Sequence, residues 1–175
     1  MKKDLFLWQF AGFSLSSLLG SLLHFVYYWT NQNPFIAPFS AVNESTWEHM
    51  KLIFFPMFLF ALIQRRFFKE YKNFWCIKLI GIITGLTLIP VLFYTFNGAF
   101  GKTPDWLNIL FFFISAFIGY LVEYFLFFND FTWRYPWIAF VFLLIIASLF
   151  IIFTFYPPSL PLFQDPISRG YGITA

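Results

Sequence analysis

Apolar residues occur in five long runs along the chain, and short polar segments separate these runs. A transmembrane helix needs about 20 consecutive apolar residues, and the runs reach or approach that length. Strands of a membrane β-barrel alternate apolar and polar residues, whereas residues 138–155 are almost entirely apolar. The pattern therefore predicts an all-α membrane protein, a bundle of five transmembrane helices. The predicted helices cover about residues 5–29, 44–68, 73–96, 106–128 and 135–156.

The second of these helices has the shortest apolar run. Only residues 52–63 are purely apolar, which is less than a span of about 20 residues requires. We therefore expect the helix to extend back through Trp47 and forward to residue 68. This extension puts Glu48, His49 and Lys51 near the boundary of the hydrocarbon layer, where charged groups are costly.

Composition agrees with a membrane protein. Of the 175 residues, 60% are hydrophobic, 26% are aromatic and only 11% are charged, whereas soluble domains carry about 25% charged residues. No polar stretch is long enough to fold alone, so residues 1–175 are predicted to form a single integral-membrane domain. Residues 5–29 exceed the roughly 7–15 apolar residues of a secretory signal, and we expect them to remain as a helix.

The basic residues predict the orientation of the chain. They concentrate in short segments between apolar runs, as the positive-inside rule requires, and the net charge of +3 therefore indicates a lipid bilayer rather than nucleic acid as the partner. Five spans put the termini on opposite sides, and a cytoplasmic N-terminus leaves most basic residues inside. The inner residues would be Lys2, Lys3, Arg65, Arg66, Lys69, Lys72, Lys78 and Arg134, and the outer ones Lys51, Lys102 and Arg169.

Residues 43–51 form the densest cluster of charged and hydrogen-bonding side chains in the chain. Ser45-x-x-Glu48 matches a capping box, in which side chains satisfy the free N–H groups of a helix start, and Asn43 is an alternative N-cap. One interpretation is thus a purely structural helix start. The other is a binding site, because ionisable groups at membrane depth are functional candidates. The candidate binding residues are Asn43, Glu44, Glu48, His49 and Lys51, together with His24 in the first helix and Asp165 in the tail.

Two different roles are open for the charged residues at the start of the second helix. Glu48 or His49 is a candidate catalytic acid or base. Alternatively, Glu48 and Lys51 form an ion pair within the helix, because residues three apart share one helix face.

A metal site in this stretch would need help from elsewhere in the chain. His49 points about 100° away from Glu48 around the helix axis. A site made of Glu44, Glu48 and His49 alone is therefore geometrically poor, and ligands such as His24 or Asp165 would have to complete it. No full metal-binding motif is present. No cofactor is predicted, and a divalent metal remains an open alternative.

Lys78 and Glu123 lie at matching depth near the inner ends of the third and fourth helices. A buried charge is costly unless it is paired, so we predict that the two side chains form a structural ion pair. The alternative is a proton relay or an inner gate.

The C-terminal tail, residues 157–175, contains four prolines and cannot be helical through that region. Its apolar residues are not typical of a disordered tail, so we expect it to pack against the bundle. Together with the first connection and the start of the second helix, it would form a polar cap on the outer side of the membrane.

Two stretches of the chain carry specific motifs. Residues 43–51 read N-E-S-x-W-E-H-x-K, and residues 157–166 read P-P-x-x-P-L-F-x-D-P. Both are similar to motifs of a family of small bacterial multi-pass membrane proteins that carry a domain of unknown function. The resemblance implies a protein of the bacterial cytoplasmic membrane. It supplies no activity, substrate or catalytic residue.

Three classes of function remain for such a protein. The first is a structural membrane component whose outer polar site binds a partner protein, a second copy of the chain or a lipid headgroup. The second is a membrane enzyme that acts on a lipid or isoprenoid substrate, and the third is a transporter or channel component. An enzyme would enclose Glu48 and His49 in a pocket, a transporter would connect His24 to Glu123 by a polar path, and in a scaffold the polar residues would pair with one another.

Overall fold

Five long helices account for most of the computed structural model, which describes residues 2–129 and 131–174. Each helix is long and apolar enough to cross a membrane. The described residues form no β-strand, so the predicted all-α class with five membrane-compatible helices is confirmed. The side chains of Lys2 and Lys3, which the predicted orientation counts as inner charges, lie outside those described. The helices are α1 (Lys2–Trp29), α2 (Thr46–Gln64), α3 (Phe74–Phe100), α4 (Asp105–Phe128) and α5 (Pro136–Phe155).

Several helix ends differ from the prediction. Helix α1 begins at Lys2 rather than at residue 5, and helix α2 ends at Gln64 and does not reach residue 68. Helix α2 begins at Thr46 rather than at residue 44, because Ser45 is its N-cap and accepts a hydrogen bond from the backbone N–H of Glu48 at 3.4 Å. Helix α3 runs to Phe100 rather than to residue 96. The helix ends before Gly101, whose φ of +82° is unfavourable for other residues.

Helix α2 is the centre of the bundle and contacts each of the other four helices. Its apolar residues are buried on more than one side, as expected of a helix surrounded by protein. Helices α3 and α4 pack closely beside it, because Gly119 leaves its backbone next to the Gly81 carbonyl. The core around α2 includes Phe54, Met57, Ile82, Ala116, Leu143 and Phe150.

One end of the bundle is covered by the α1–α2 connection, residues 30–45, and by the tail, residues 157–173; we call these two segments the cap. The Asn43 side-chain amide donates to the Gly172 carbonyl at 2.9 Å and joins the two segments. The ring of Phe163, in a short 3-10 turn of the tail, packs 4.7 Å from the Trp47 ring of α2. The tail thus lies against the bundle at the end where α1 finishes and α2 starts.

Candidate metal centre at the cap

The start of α2 is built by a chain of local hydrogen bonds. The Asn43 side-chain oxygen accepts from the Ser45 backbone N–H at 2.9 Å, and the Ser45 hydroxyl accepts from Glu48 N–H. A complete capping box would also have the Glu48 carboxylate accept from Ser45. Here the Asn43 side chain accepts from the Ser45 N–H instead, so the Glu48 carboxylate is available for other partners. Glu44 stays outside the helix.

Glu48 and Lys51 turn inward and form a buried clamp. Glu48 Oε2 lies 2.6 Å from Lys51 Nζ and accepts from the Val42 backbone N–H at 3.0 Å. The same ammonium donates to the Ala37 carbonyl at 2.8 Å and to the Thr154 hydroxyl at 3.0 Å. All three ammonium protons therefore have partners, and the clamp ties α2 to the cap and to α5.

The clamp changes the expected roles of Glu48 and His49. Glu48 or His49 was a candidate acid or base, and the ion pair of Glu48 with Lys51 was the alternative. Glu48 is only 1% exposed and contacts Lys51 and the Val42 backbone. His49 turns to the other side of the helix, as its position about 100° away requires. The intrahelical ion pair is the arrangement that the structure contains.

His24, Glu44 and His49 come together from three different segments. Glu44 Oε2 lies 3.6 Å from His24 Nε2 of α1 and 3.5 Å from His49 Nε2 of α2. The two imidazole centroids are 5.4 Å apart. One ligand atom from each of the three residues lies within 4.8 Å of the others, so the group has the dimensions of a metal site.

The histidine rings are oriented by their surroundings. His49 Nδ1 lies 2.9 Å from the Ser45 carbonyl, which only accepts, so Nδ1 carries the proton and Nε2 faces Glu44 with a lone pair in the neutral ring. The contact with the His24 imidazole lowers the pKa of the Glu44 carboxyl, although partial burial opposes this effect. Glu44 is therefore a carboxylate at neutral pH.

An open pocket of about 420 Å³ adjoins this group. Asp165 of the tail contributes a second carboxylate, which accepts hydrogen bonds from the Ser168 hydroxyl and from the backbone N–H groups of Ile167 and Ser168. Burial raises the pKa of Asp165, but these hydrogen bonds and that from the Glu44 backbone outweigh it, and the pKa is lowered. The pocket is lined by His24, Phe25, Tyr28, Asn43, Glu44, Asp165 and Ile167.

The sequence identified most of this group but not its arrangement. His24 was considered as a ligand. Glu44 was predicted to be the first residue of the second helix, but it precedes that helix. Tyr28 was not among the candidates, although it is one helical turn beyond His24 and so shares its face. Its hydroxyl donates to the Val42 carbonyl at 3.4 Å.

Lys78 of α3 and Glu123 of α4 are not part of the cap. Their side chains contact each other directly. Lys78 Nζ is 2.5 Å from Glu123 Oε2, and both side chains are fully buried. The Tyr120 ring centroid lies 5.2 Å from the same ammonium. This geometry is that of a buried structural ion pair between α3 and α4.

Comparisons with known proteins give a family and no activity. No curated protein and no solved structure matches the chain. The model of one protein family, described as a family of unknown function (DUF6512), matches residues 2–173. That match covers nearly the whole chain, and the protein therefore belongs to the DUF6512 family.

Proposed function

We propose that this protein is a membrane component that binds the amine-bearing headgroup of a phospholipid at the cap. The observation that carries the proposal is that two carboxylates, those of Glu44 and Asp165, line the cap pocket. An ammonium group is attracted to such a pair, and the aromatic faces of Phe25 and Tyr28 in the same lining add cation–π attraction.

The surroundings of the pocket support a lipid rather than a soluble ligand. Trp29, Phe35 and Tyr156 are strongly exposed at the same end of the bundle, at 66%, 85% and 80%. Aromatic residues are enriched at the membrane–water interface, where headgroups lie. A pocket beside such residues is at the depth of a phospholipid headgroup.

The pairing of the remaining charges favours binding over catalysis or transport. Glu48 is held by Lys51, and Lys78 is held by Glu123. These are the paired polar residues expected of a structural component. A membrane enzyme would enclose Glu48 and His49 in one pocket, whereas the lining of the cap pocket includes neither. A transporter would connect His24 to Glu123 by a polar path, and Glu123 is buried against Lys78.

The proposal includes a location. The distribution of basic residues supports a bacterial cytoplasmic membrane with the N-terminus in the cytoplasm and the C-terminus outside. The cap would then face the outer leaflet and would select lipids there. A protein partner or a second copy of the chain is the alternative occupant of the cap, and nucleic acid is not an expected partner.

Lipid selection tests the proposal directly. The purified chain, treated with a chelator, is equilibrated with mixed micelles that contain equal amounts of phosphatidylethanolamine and phosphatidylglycerol, and the retained lipids are quantified by native mass spectrometry. We expect the wild type to retain the ethanolamine lipid in several-fold excess. Glu44→Gln removes one pocket charge and should reduce that excess.

Glu70→Gln is the matched control, because Glu70 is an exposed carboxylate outside the pocket. It should retain the wild-type preference. Equal retention of the two lipids by the wild type would refute headgroup selection. If that protein also self-associated in sizing experiments, a second copy would replace the lipid as the proposed occupant.

A further inference from the structure

We propose that His24, Glu44 and His49 bind a zinc ion at the inner wall of the cap pocket. This inference goes beyond headgroup binding and shares only the Glu44 carboxylate with it. It uses the two imidazole Nε2 atoms and Glu44 Oε2, whereas Asp165, Phe25 and Tyr28 remain free for a lipid.

The distances within the group match a tetrahedral zinc site. Zinc binds imidazole nitrogen at about 2.0–2.1 Å and carboxylate oxygen at about 2.0–2.2 Å, so neighbouring ligand atoms of a tetrahedron lie about 3.4 Å apart. The two measured edges, from Glu44 Oε2 to His24 Nε2 and to His49 Nε2, are 3.6 Å and 3.5 Å. The three ligand atoms all lie within 4.8 Å of one another.

The His49 ring is already set as a ligand. Its Nδ1–H donates to the Ser45 carbonyl, which is the hydrogen bond that orients most metal-binding histidines. Its Nε2 lone pair then faces the Glu44 carboxylate at 3.5 Å, and two electron-rich atoms repel at that separation. A cation between them turns this repulsion into attraction.

The His24 ring supplies a second, independent indication of a ligand. Its Nδ1 is buried and has no hydrogen-bond partner among the residues that the structure describes. Its Nε2 is 3.6 Å from the Glu44 carboxylate, which is too long for a good hydrogen bond. The ring is partly buried, with 28% of its side chain exposed, and Nε2 is the nitrogen available to bind a metal beside Glu44.

The donor set indicates which metal binds and how it is exposed. Two imidazoles and one carboxylate form a three-ligand set that zinc uses in sites with an open fourth position. His24 and Glu44 line the pocket, so the fourth position is reached from it. The zinc charge exceeds that of Glu44, so this position accepts an anionic oxygen such as that of a headgroup phosphate, while Asp165 stays available for the amine.

Zinc binding is measured on the full chain in detergent. The protein is stripped with a chelator, dialysed against ZnCl₂ and analysed by elemental mass spectrometry, and affinity is obtained by competition with a chromophoric chelator. We expect about one zinc ion per chain, and an increase in the thermal midpoint when zinc is added. His49→Gln and Glu44→Gln should each weaken binding by at least about tenfold, because even loss of an outer-shell partner costs 10–100-fold.

Two variants serve as controls. Cys76→Ser removes the chain's single thiol, and Glu70→Gln removes an exposed carboxylate outside the group. Both should bind zinc as the wild type does. Cobalt substitution gives a readout that does not depend on stability, since the visible absorption of tetrahedral Co²⁺ should appear in the wild type and vanish in His49→Gln.

The zinc and lipid proposals fail separately. His49 is not part of the pocket lining, so His49→Gln should lose zinc and still prefer the ethanolamine lipid in chelator. A wild type that binds no zinc, or a His49→Gln protein that binds it with unchanged affinity, would overturn the zinc site. Loss of zinc in Cys76→Ser would assign the metal to the thiol and would overturn it as well.

Discussion

At the scale of single residues, the buried ammonium of Lys51 has a complete set of hydrogen-bond partners. Lys51 donates to a carboxylate, a backbone carbonyl and a hydroxyl, and these partners belong to α2, the cap and α5. A buried ion pair such as Glu48–Lys51 is stable only when further hydrogen bonds satisfy both charges. Without them, the cost of removing the charges from water exceeds their mutual attraction. The clamp therefore fixes the cap on the bundle and keeps Glu44 near the histidines.

Replacing Lys51 with methionine tests this interpretation of the clamp. The variant leaves the Glu48 carboxylate buried without its cation, and we expect a loss of about 3–5 kcal/mol in the free energy of unfolding. The measurement is reversible unfolding in mixed micelles, followed by tryptophan fluorescence. The double variant Glu48→Gln, Lys51→Met removes both charges and should lose less than Lys51→Met alone. A single variant as stable as the wild type would contradict the structural role.

The residues of the His24–Glu44–His49 group could be predicted from the sequence, but their mutual contact could not. His24 was identified because it is an ionisable group in a predicted membrane helix, and Glu44 because it lies in the polar stretch of residues 43–51. Their contact depends on Asn43, whose side chain accepts from Ser45 and keeps Glu44 out of α2. A choice between two competing caps involves only about 1 kcal/mol, so the motif alone does not decide it.

At the scale of elements, the lengths of apolar runs predicted the helices because a membrane span must satisfy all of its own backbone hydrogen bonds. Helix ends were less predictable. The end of α3 was expected at residue 96, whereas the helix continues through Gly98 to Phe100, because a glycine within a helix costs only about 1 kcal/mol. The packing of α3 on α4 depends on glycines that contact residues distant in sequence, so the order of residues alone did not predict it.

Gly119→Ala tests the α3–α4 contact, with Gly98→Ala as its matched control. A Cβ atom at Gly119 would lie 2.9 Å from the Gly81 carbonyl oxygen, and backbone cannot yield as a flexible side chain does. We expect a loss of about 1–3 kcal/mol in unfolding free energy for Gly119→Ala, typical of overpacking. A Cβ atom at Gly98 meets nothing within 4 Å, so Gly98→Ala should be neutral or slightly stabilising. Equal effects of the two substitutions would contradict close packing at Gly119.

At the scale of the whole molecule, polar groups are divided between the two ends of the bundle. The cap end carries the pocket and its carboxylates, and the opposite end carries Arg65, Arg66, Lys69 and Lys72 between α2 and α3. The positive-inside rule converts this division into an orientation. The proposed outer location of the metal and lipid sites follows from that orientation, so a measurement of topology tests their access to ligands from outside the cell.

Cysteine labelling decides the orientation. In a Cys76→Ser background, Ser159→Cys introduces an exposed thiol in the cap, and Lys69→Cys introduces one at the opposite end. With the N-terminus inside, a membrane-impermeant maleimide added to intact cells should label Ser159→Cys and should leave Lys69→Cys unlabelled until the cells are lysed. The physical reason is that transfer of the basic α2–α3 segment across the membrane is opposed by its charge. The reverse labelling pattern would put the His24–Glu44–His49 group on the cytoplasmic side. Its zinc would then come from the cytosol and its lipids from the inner leaflet.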